Sequence, residues 1–157
     1  MSEAGSPILE VTRGFRFSAA HRLHNPRFSA AENARLYGRC NNPNGHGHTY
    51  RLEVTIRGPV SPDTGRVEGW PALEAVVQAA VLDRFDRANL DHEITADDGP
   101  TSTTEVLLGL LWRLLDGRLP AGCLHRLRLE ETPNNFFELD RHSRTPAGEP
   151  GEKVSPT

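Results

Sequence analysis

From His48 to Arg57 the chain reads HTYRLEVTIR, with Tyr50, Leu52, Val54 and Ile56 at every second position and polar residues between them. A period of two is the repeat of a β-strand, whose successive side chains point to opposite faces, so a run that alternates this cleanly fits a strand with one apolar and one wet face. Upstream, Ile8 to His21 alternates less perfectly: Val11, Phe15 and Phe17 fall at odd positions, with Arg13 and Arg16 beside them. Two long strands are expected, paired as a hairpin-like ladder. The segment between them is dense in Asn, Gly and Pro and reads as a long loop, in which Ser29 and Glu32 have the spacing of a capping box for one short helical turn.

After the turn chemistry of Ser61-Pro62-Asp63-Thr64-Gly65, Pro71 suits the start of a helix, and Leu73, Val76, Val77, Ala80 and Val81 recur at helical spacing up to Phe85. A second helix follows a polar loop. Its N-cap is offered within Thr101–Thr104, its apolar face is Val106, Leu107, Leu110, Leu111, Leu114 and Leu115, and it stops at Asp116-Gly117. His125–Glu131 alternates again, and FFELD continues as a strand after Pro133-Asn134-Asn135. The order is β-β-α-α-β-β, an α+β class chain. Its 157 residues make one domain, expected over 8–142, with a Pro-, Gly- and Glu-rich tail, 143–157, expected to be disordered.

Several function classes are disfavoured. The net charge is -3 and the basic residues are scattered, so nucleic acid is not an expected partner. No apolar run approaches the roughly 20 residues of a membrane helix, and MSEAGSPILEV lacks the pattern of an export signal, so a cytoplasmic protein is expected. Cys40 and Cys123 are then free thiols rather than a disulfide.

In NGHGHTY, His46 and His48 are spaced i, i+2, which on an extended segment turns both imidazoles to one face. His21 ends the first strand, which can lie about 5 Å from the second and supply a third imidazole. Three histidines are a zinc set with one open position, the catalytic rather than the structural pattern. A histidine standing alone is more often a satisfied core or surface residue, and His24, His125 and His142 are read that way.

The segments FSAAHRL (Phe17 to Leu23), LYGRCNNPNGHGHTY (Leu36 to Tyr50), TSTTE (Thr101 to Glu105) and ETPNN (Glu131 to Asn135) together resemble the 6-pyruvoyltetrahydropterin synthase family. The resemblance implies the tunnelling fold, with an antiparallel four-stranded sheet, two helices on one face, and several subunits joining their sheets into a barrel. It implies a zinc-dependent lyase acting on 7,8-dihydroneopterin triphosphate, assembled as a homo-oligomer, a trimer or hexamer. His21, His46 and His48 would bind Zn2+, and Cys40 would be the catalytic base. Glu131 would anchor the pterin ring, Glu105 with Thr104 would complete that pocket, and Asp86 would be catalytic, reaching a neighbouring subunit's site. Five residues separate Cys40 from His46, as in the pyruvoyl branch; the 6-carboxytetrahydropterin synthases of queuosine biosynthesis usually have fewer.

One departure stands out. Where the family carries an Asp-His pair in a segment like LDHxNL, this chain reads Phe85-Asp86-Arg87-Ala88-Asn89-Leu90. Arginine stays charged and cannot act as a base. His92, in the later Leu90-Asp91-His92, is a candidate substitute, and Arg87 could instead hold the triphosphate. The alternative function is a catalytically weakened paralogue that binds pterin and zinc as a binding or assembly module.

Overall fold

A computed structural model describes residues 5–143, so the segment expected to be disordered lies outside the described residues except for Ser143. Strands β1 (Ile8–His21) and β2 (His46–Pro59) pair antiparallel along their whole lengths, from Ile8 opposite Pro59 to His21 opposite His46. The loop between them holds α1 (Ala30–Tyr37), whose Ser29–Glu32 capping box forms as its spacing suggests, and a 3-10 turn, Gly38–Asn41. Helix α2 (Trp70–Val77) runs through a wide π turn, Gln78–Leu82, into α3 (Asp83–Phe85), so the single expected helix is one rod with a local expansion. Next come β3 (Ala88–Asn89), α4 (Leu90–Glu93), α5 (Thr104–Asp116), β4 (Leu124–Thr132) and β5 (Asn135–Asp140).

The sheet order is β3-β1-β2-β4-β5. Four long antiparallel strands match the expected sheet. The addition is β3, two residues lying parallel to Ala19 and Ala20 on the free edge of β1. Asp86 and Arg87 start it: the Ser18 amide donates to Asp86 Oδ1 at 2.8 Å, and the Arg87 amide donates to the Ser18 carbonyl at 2.5 Å. This two-point clasp holds Arg87 at φ +62, a conformation uncommon outside glycine.

Alternation decides which face is covered. Phe17, Tyr50, Leu52, Val54, Ile56, Leu127 and Leu129 are buried together with Leu73, Val77, Val81 and Phe85 of the α2–α3 rod and Leu107, Leu111 and Leu115 of α5. The other face is charged: Arg128 lies 3.6 Å from Glu53 and 3.9 Å from both Glu130 and Glu138. His21, His46 and His48 continue the inward parity of Phe17, Ala19 and Tyr50, so the ladder carries them to the helix-covered end of the sheet. No helix among the described residues is long and apolar enough to cross a membrane.

Candidate metal centre

The β1–β2 register does the main work of assembly. It sets His21 directly opposite His46, and His48 follows two residues along the same face. The three ring centroids are 4.7, 4.8 and 5.2 Å apart, and one nitrogen from each ring lies within 4.8 Å of the others. His21 Nε2 and His46 Nε2 are 3.2 Å apart, against about 3.4 Å for the edge of a tetrahedron whose metal–nitrogen bonds are about 2.0–2.1 Å. The donor set therefore fits a small tetrahedral cation.

The protonation states fit as well. His21 is 1% exposed, and its Nδ1 donates to the Ser102 carbonyl at 2.8 Å, which leaves the Nε2 lone pair turned toward the other two rings. His48 Nε2 is buried with no hydrogen-bond partner, as expected of an atom shaped for a ligand. Burial is the first cause that holds both His46 and His48 below the ordinary imidazole range; the neighbouring imidazoles push the same way and Glu131 opposes them. Neutral imidazole is the form that binds metal.

Glu131 joins the group by parity, continuing the inward alternation of Leu127 and Leu129 along β4. Glu130 pairs with Phe136 and Thr132 with Asn135, so a bulge leaves Glu131 out of the ladder with β5, where only the Asn135 side chain donates to its Oε2, at 3.4 Å. Its Oε1 accepts from the Thr104 hydroxyl at 2.8 Å and lies 3.6 Å from His48 Nε2 and 3.8 Å from His21 Nε2. Cys40 lies in the 3-10 turn, which the Leu23 amide ties to the end of β1 by donating to the Cys40 carbonyl at 2.8 Å. Burial raises the Cys40 thiol above its usual range, and the Glu131 carboxylate adds to the rise. Tyr50, 0% exposed, edges onto His48 with 5.7 Å between centroids. Its hydroxyl has no hydrogen bond of good geometry, although the Thr104 hydroxyl that donates to Glu131 lies near it. Burial first, and Glu131 second, push the Tyr50 phenol upward.

Other candidates from the sequence lie elsewhere in the single chain. Among the described residues, Asp86 is bonded to the Ser18 amide and faces Arg87 at 3.9 Å, at the edge of the sheet. The Arg87 side chain is 90% exposed. Glu105 is exposed on the first turn of α5, one residue beyond the buried Thr104. His92 is exposed on α4 and is not among the clustered histidines; the member of that tripeptide that reaches the site is Asp91. Asp91 accepts from the Ser102 hydroxyl and from the Arg22 amide, and Ser102 in turn holds His21. Sequence reasoning passed over Asp91, Ser102 and Tyr50. Only Tyr50 had a usable local signal, its place in the alternation that carries His46 and His48.

Comparison with known proteins shows which family the sequence and fold resemble. The sequence model described as 6-pyruvoyl tetrahydropterin synthase matches residues 10–142. The chain is 40% identical over 127 residues to the human 6-pyruvoyl tetrahydrobiopterin synthase, covering 81% of this chain and 88% of the human one. It is also 40% identical over 137 residues to the protein of that name from Poecilia reticulata, covering 85% and 93%. The solved Caenorhabditis elegans 6-pyruvoyl tetrahydropterin synthase superposes with a TM-score of 0.80 at 36% identity, over 87% of this chain and 97% of that one.

Proposed function

The chain belongs to the 6-pyruvoyl tetrahydropterin synthase family, and on that premise we propose that it is a zinc-dependent lyase that eliminates triphosphate from 7,8-dihydroneopterin triphosphate. The observation that carries this reading is the convergence of three metal-ready imidazoles with Glu131, Thr104 and Cys40 at one end of the sheet. Zinc, when bound there, supplies a Lewis acid for the substrate's side-chain oxygens and a positive charge that favours the Cys40 thiolate against Glu131. Cys40 takes the proton from the carbon chain, and triphosphate departs. Glu131, already accepting from Thr104, presents its carboxyl oxygens to the paired N–H donors of the pterin ring. The product assigned is the 6-pyruvoyl rather than the 6-carboxy compound, supported by the five-residue spacing from Cys40 to His46 and by the names of the relatives.

The active form is proposed to be a homo-oligomer, a trimer or hexamer, in which Asp86 and Glu105 face a neighbouring subunit's site. The exposure of both residues and the open sheet edges support this: Asp86 is at the β3 edge, and Phe136, 50% exposed, is on the β5 edge. A second reading, a weakened pterin- and zinc-binding paralogue, is favoured by Arg87, whose exposed guanidinium stands where the family has histidine. The deciding experiment incubates zinc-loaded protein with 7,8-dihydroneopterin triphosphate, follows triphosphate release and weighs the pterin product. Release that disappears in Cys40→Ala supports the lyase. Zinc and pterin binding without release, with release appearing in Arg87→His, supports the paralogue.

A further inference from the structure

Behind the candidate metal centre, on the side of His21 away from its Nε2, a chain of hydrogen bonds runs from His21 through Ser102 to Asp91. His21 is the last residue of β1, paired with His46, and beyond it the sheet no longer fixes the chain. Its Nδ1 donates to the Ser102 carbonyl at 2.8 Å, so Ser102 decides both tautomer and ring plane. Ser102 is itself in coil, just before the Thr103 cap of α5, and no ladder orients its peptide. Its 3% exposed side chain donates from Oγ to Asp91 Oδ1 at 2.5 Å. The same carboxylate accepts from the Arg22 amide, at 2.9 Å to Oδ2 and 3.2 Å to Oδ1. The Asp91 amide is in turn fixed by Asn89 Oδ1 at 2.9 Å.

We propose that Asp91 is the positioning residue of the metal centre: one carboxylate ties the backbone just after His21 to the residue that holds its ring, locking His21 as the Nδ1–H tautomer with Nε2 facing the ligand position. A histidine free to rotate or to exchange tautomers presents its Nε2 lone pair only part of the time, and metal affinity falls by that fraction plus the misorientation. Asp91 touches neither the ring nor the ligand position, so it acts through Ser102. A cleft of about 790 Å³ lined by Asp91, Ser102, Arg22 and Thr101 opens behind it, so a smaller side chain at 91 leaves the packed core intact.

The proposal rests on the zinc reading above, and its test separates the two. Zinc dissociation constants, measured by chelator competition, are expected to weaken about 10–100-fold in Asp91→Ala and in Ser102→Ala. Asp91→Asn, which keeps one acceptor oxygen, should fall between them and the parent, and His92→Ala, changing the exposed neighbour, should leave zinc affinity unchanged. In the metal-free protein, nitrogen NMR of His21 should show a single Nδ1–H tautomer that becomes mixed in Asp91→Ala and Ser102→Ala. A purely structural role would lower the melting temperature without mixing the tautomers. Unchanged tautomer and zinc affinity in folded Ser102→Ala overturns the proposal, and that variant decides if Asp91→Ala does not fold. A parent protein that binds no zinc refutes the zinc reading, and the tautomer measurement then decides for or against Asp91 alone.

Discussion

Tyr50→Phe is expected to make the metal-free protein more stable. The Tyr50 ring is 0% exposed, stacks on Phe17 at 5.1 Å between centroids and meets His48 at 5.7 Å, and phenylalanine keeps both contacts. Only the hydroxyl is lost, and it is buried without a well-formed hydrogen bond. Burying a hydroxyl uncompensated costs about 1–3 kcal/mol in protein mutational data, and the lower half of that range allows for the small void left behind. A gain of about 1–2 kcal/mol corresponds to about 2–8 °C in melting temperature for a domain of this size. Thermal unfolding of the apo protein by circular dichroism reads the shift, and urea unfolding with an unchanged m-value shows that it is stability rather than compactness. Turnover of the zinc-loaded protein should fall, since a polar group kept unpaired at such a site trades stability for a ligand contact. A melting temperature lowered by more than about 2 °C would mean that the hydroxyl has a partner and would refute the reasoning.

Zinc affinity should hold level as pH is lowered to 6.5 and fall only below it, because burial holds His46 and His48 below the ordinary imidazole value of 6.5. The same sign governs apo stability: a depressed imidazole contributes stability above its unfolded pKa and loses it as pH falls through the folded one, and a steep loss of affinity above pH 6.5 would contradict this. Gly45→Ala should weaken zinc binding as well as stability, since φ is +67 and a Cβ would lie 3.0 Å from the His21 carbonyl oxygen; the left-handed conformation alone costs about 1–2 kcal/mol. Gly65→Ala, also at φ +67 but with nothing within 4 Å, is the control: it should lose stability and keep zinc affinity. Alkylation of Cys40 in the metal-free protein should be slow until the pH exceeds 9.0 and faster in Glu131→Gln, as mass spectrometry of the labelled peptide would show; no acceleration would remove Glu131 as a cause of the raised thiol.

The alternation of Tyr50, Leu52, Val54 and Ile56, the helical spacing from Leu73 to Val81 and the apolar face of α5 were legible because a single period in the chain maps onto one buried face. The same parity carried His46 and His48, and the end of β1 supplied His21, so the histidine cluster was readable before the register was known. The Ser29–Glu32 cap was likewise a short-range signal that formed as written.

The remainder depended on contacts between residues far apart in sequence. Glu131 has the parity of Leu127 and Leu129, but only the pairing of β4 with β2 brings that end of the strand to the histidines. Asp86 and Arg87 clasp Ser18, 68 residues from Asp86, and so create β3 where the sequence suggested only loop. His92 looked like the useful member of its tripeptide because histidine is the versatile side chain, yet the short α4 turns it outward and gives Asp91 to Ser102. His21 and Ser102 are 81 residues apart, and nothing local tells either of the other. The sequence by itself determined which elements form and which residue types gather at the end of the ladder, because backbone periodicity and strand parity are local rules. Tertiary structure alone decided which nitrogen carries the proton, which carboxylate faces the imidazoles and which hydroxyl goes unpaired, because hydrogen bonds are directional and their partners meet only after the layers have packed.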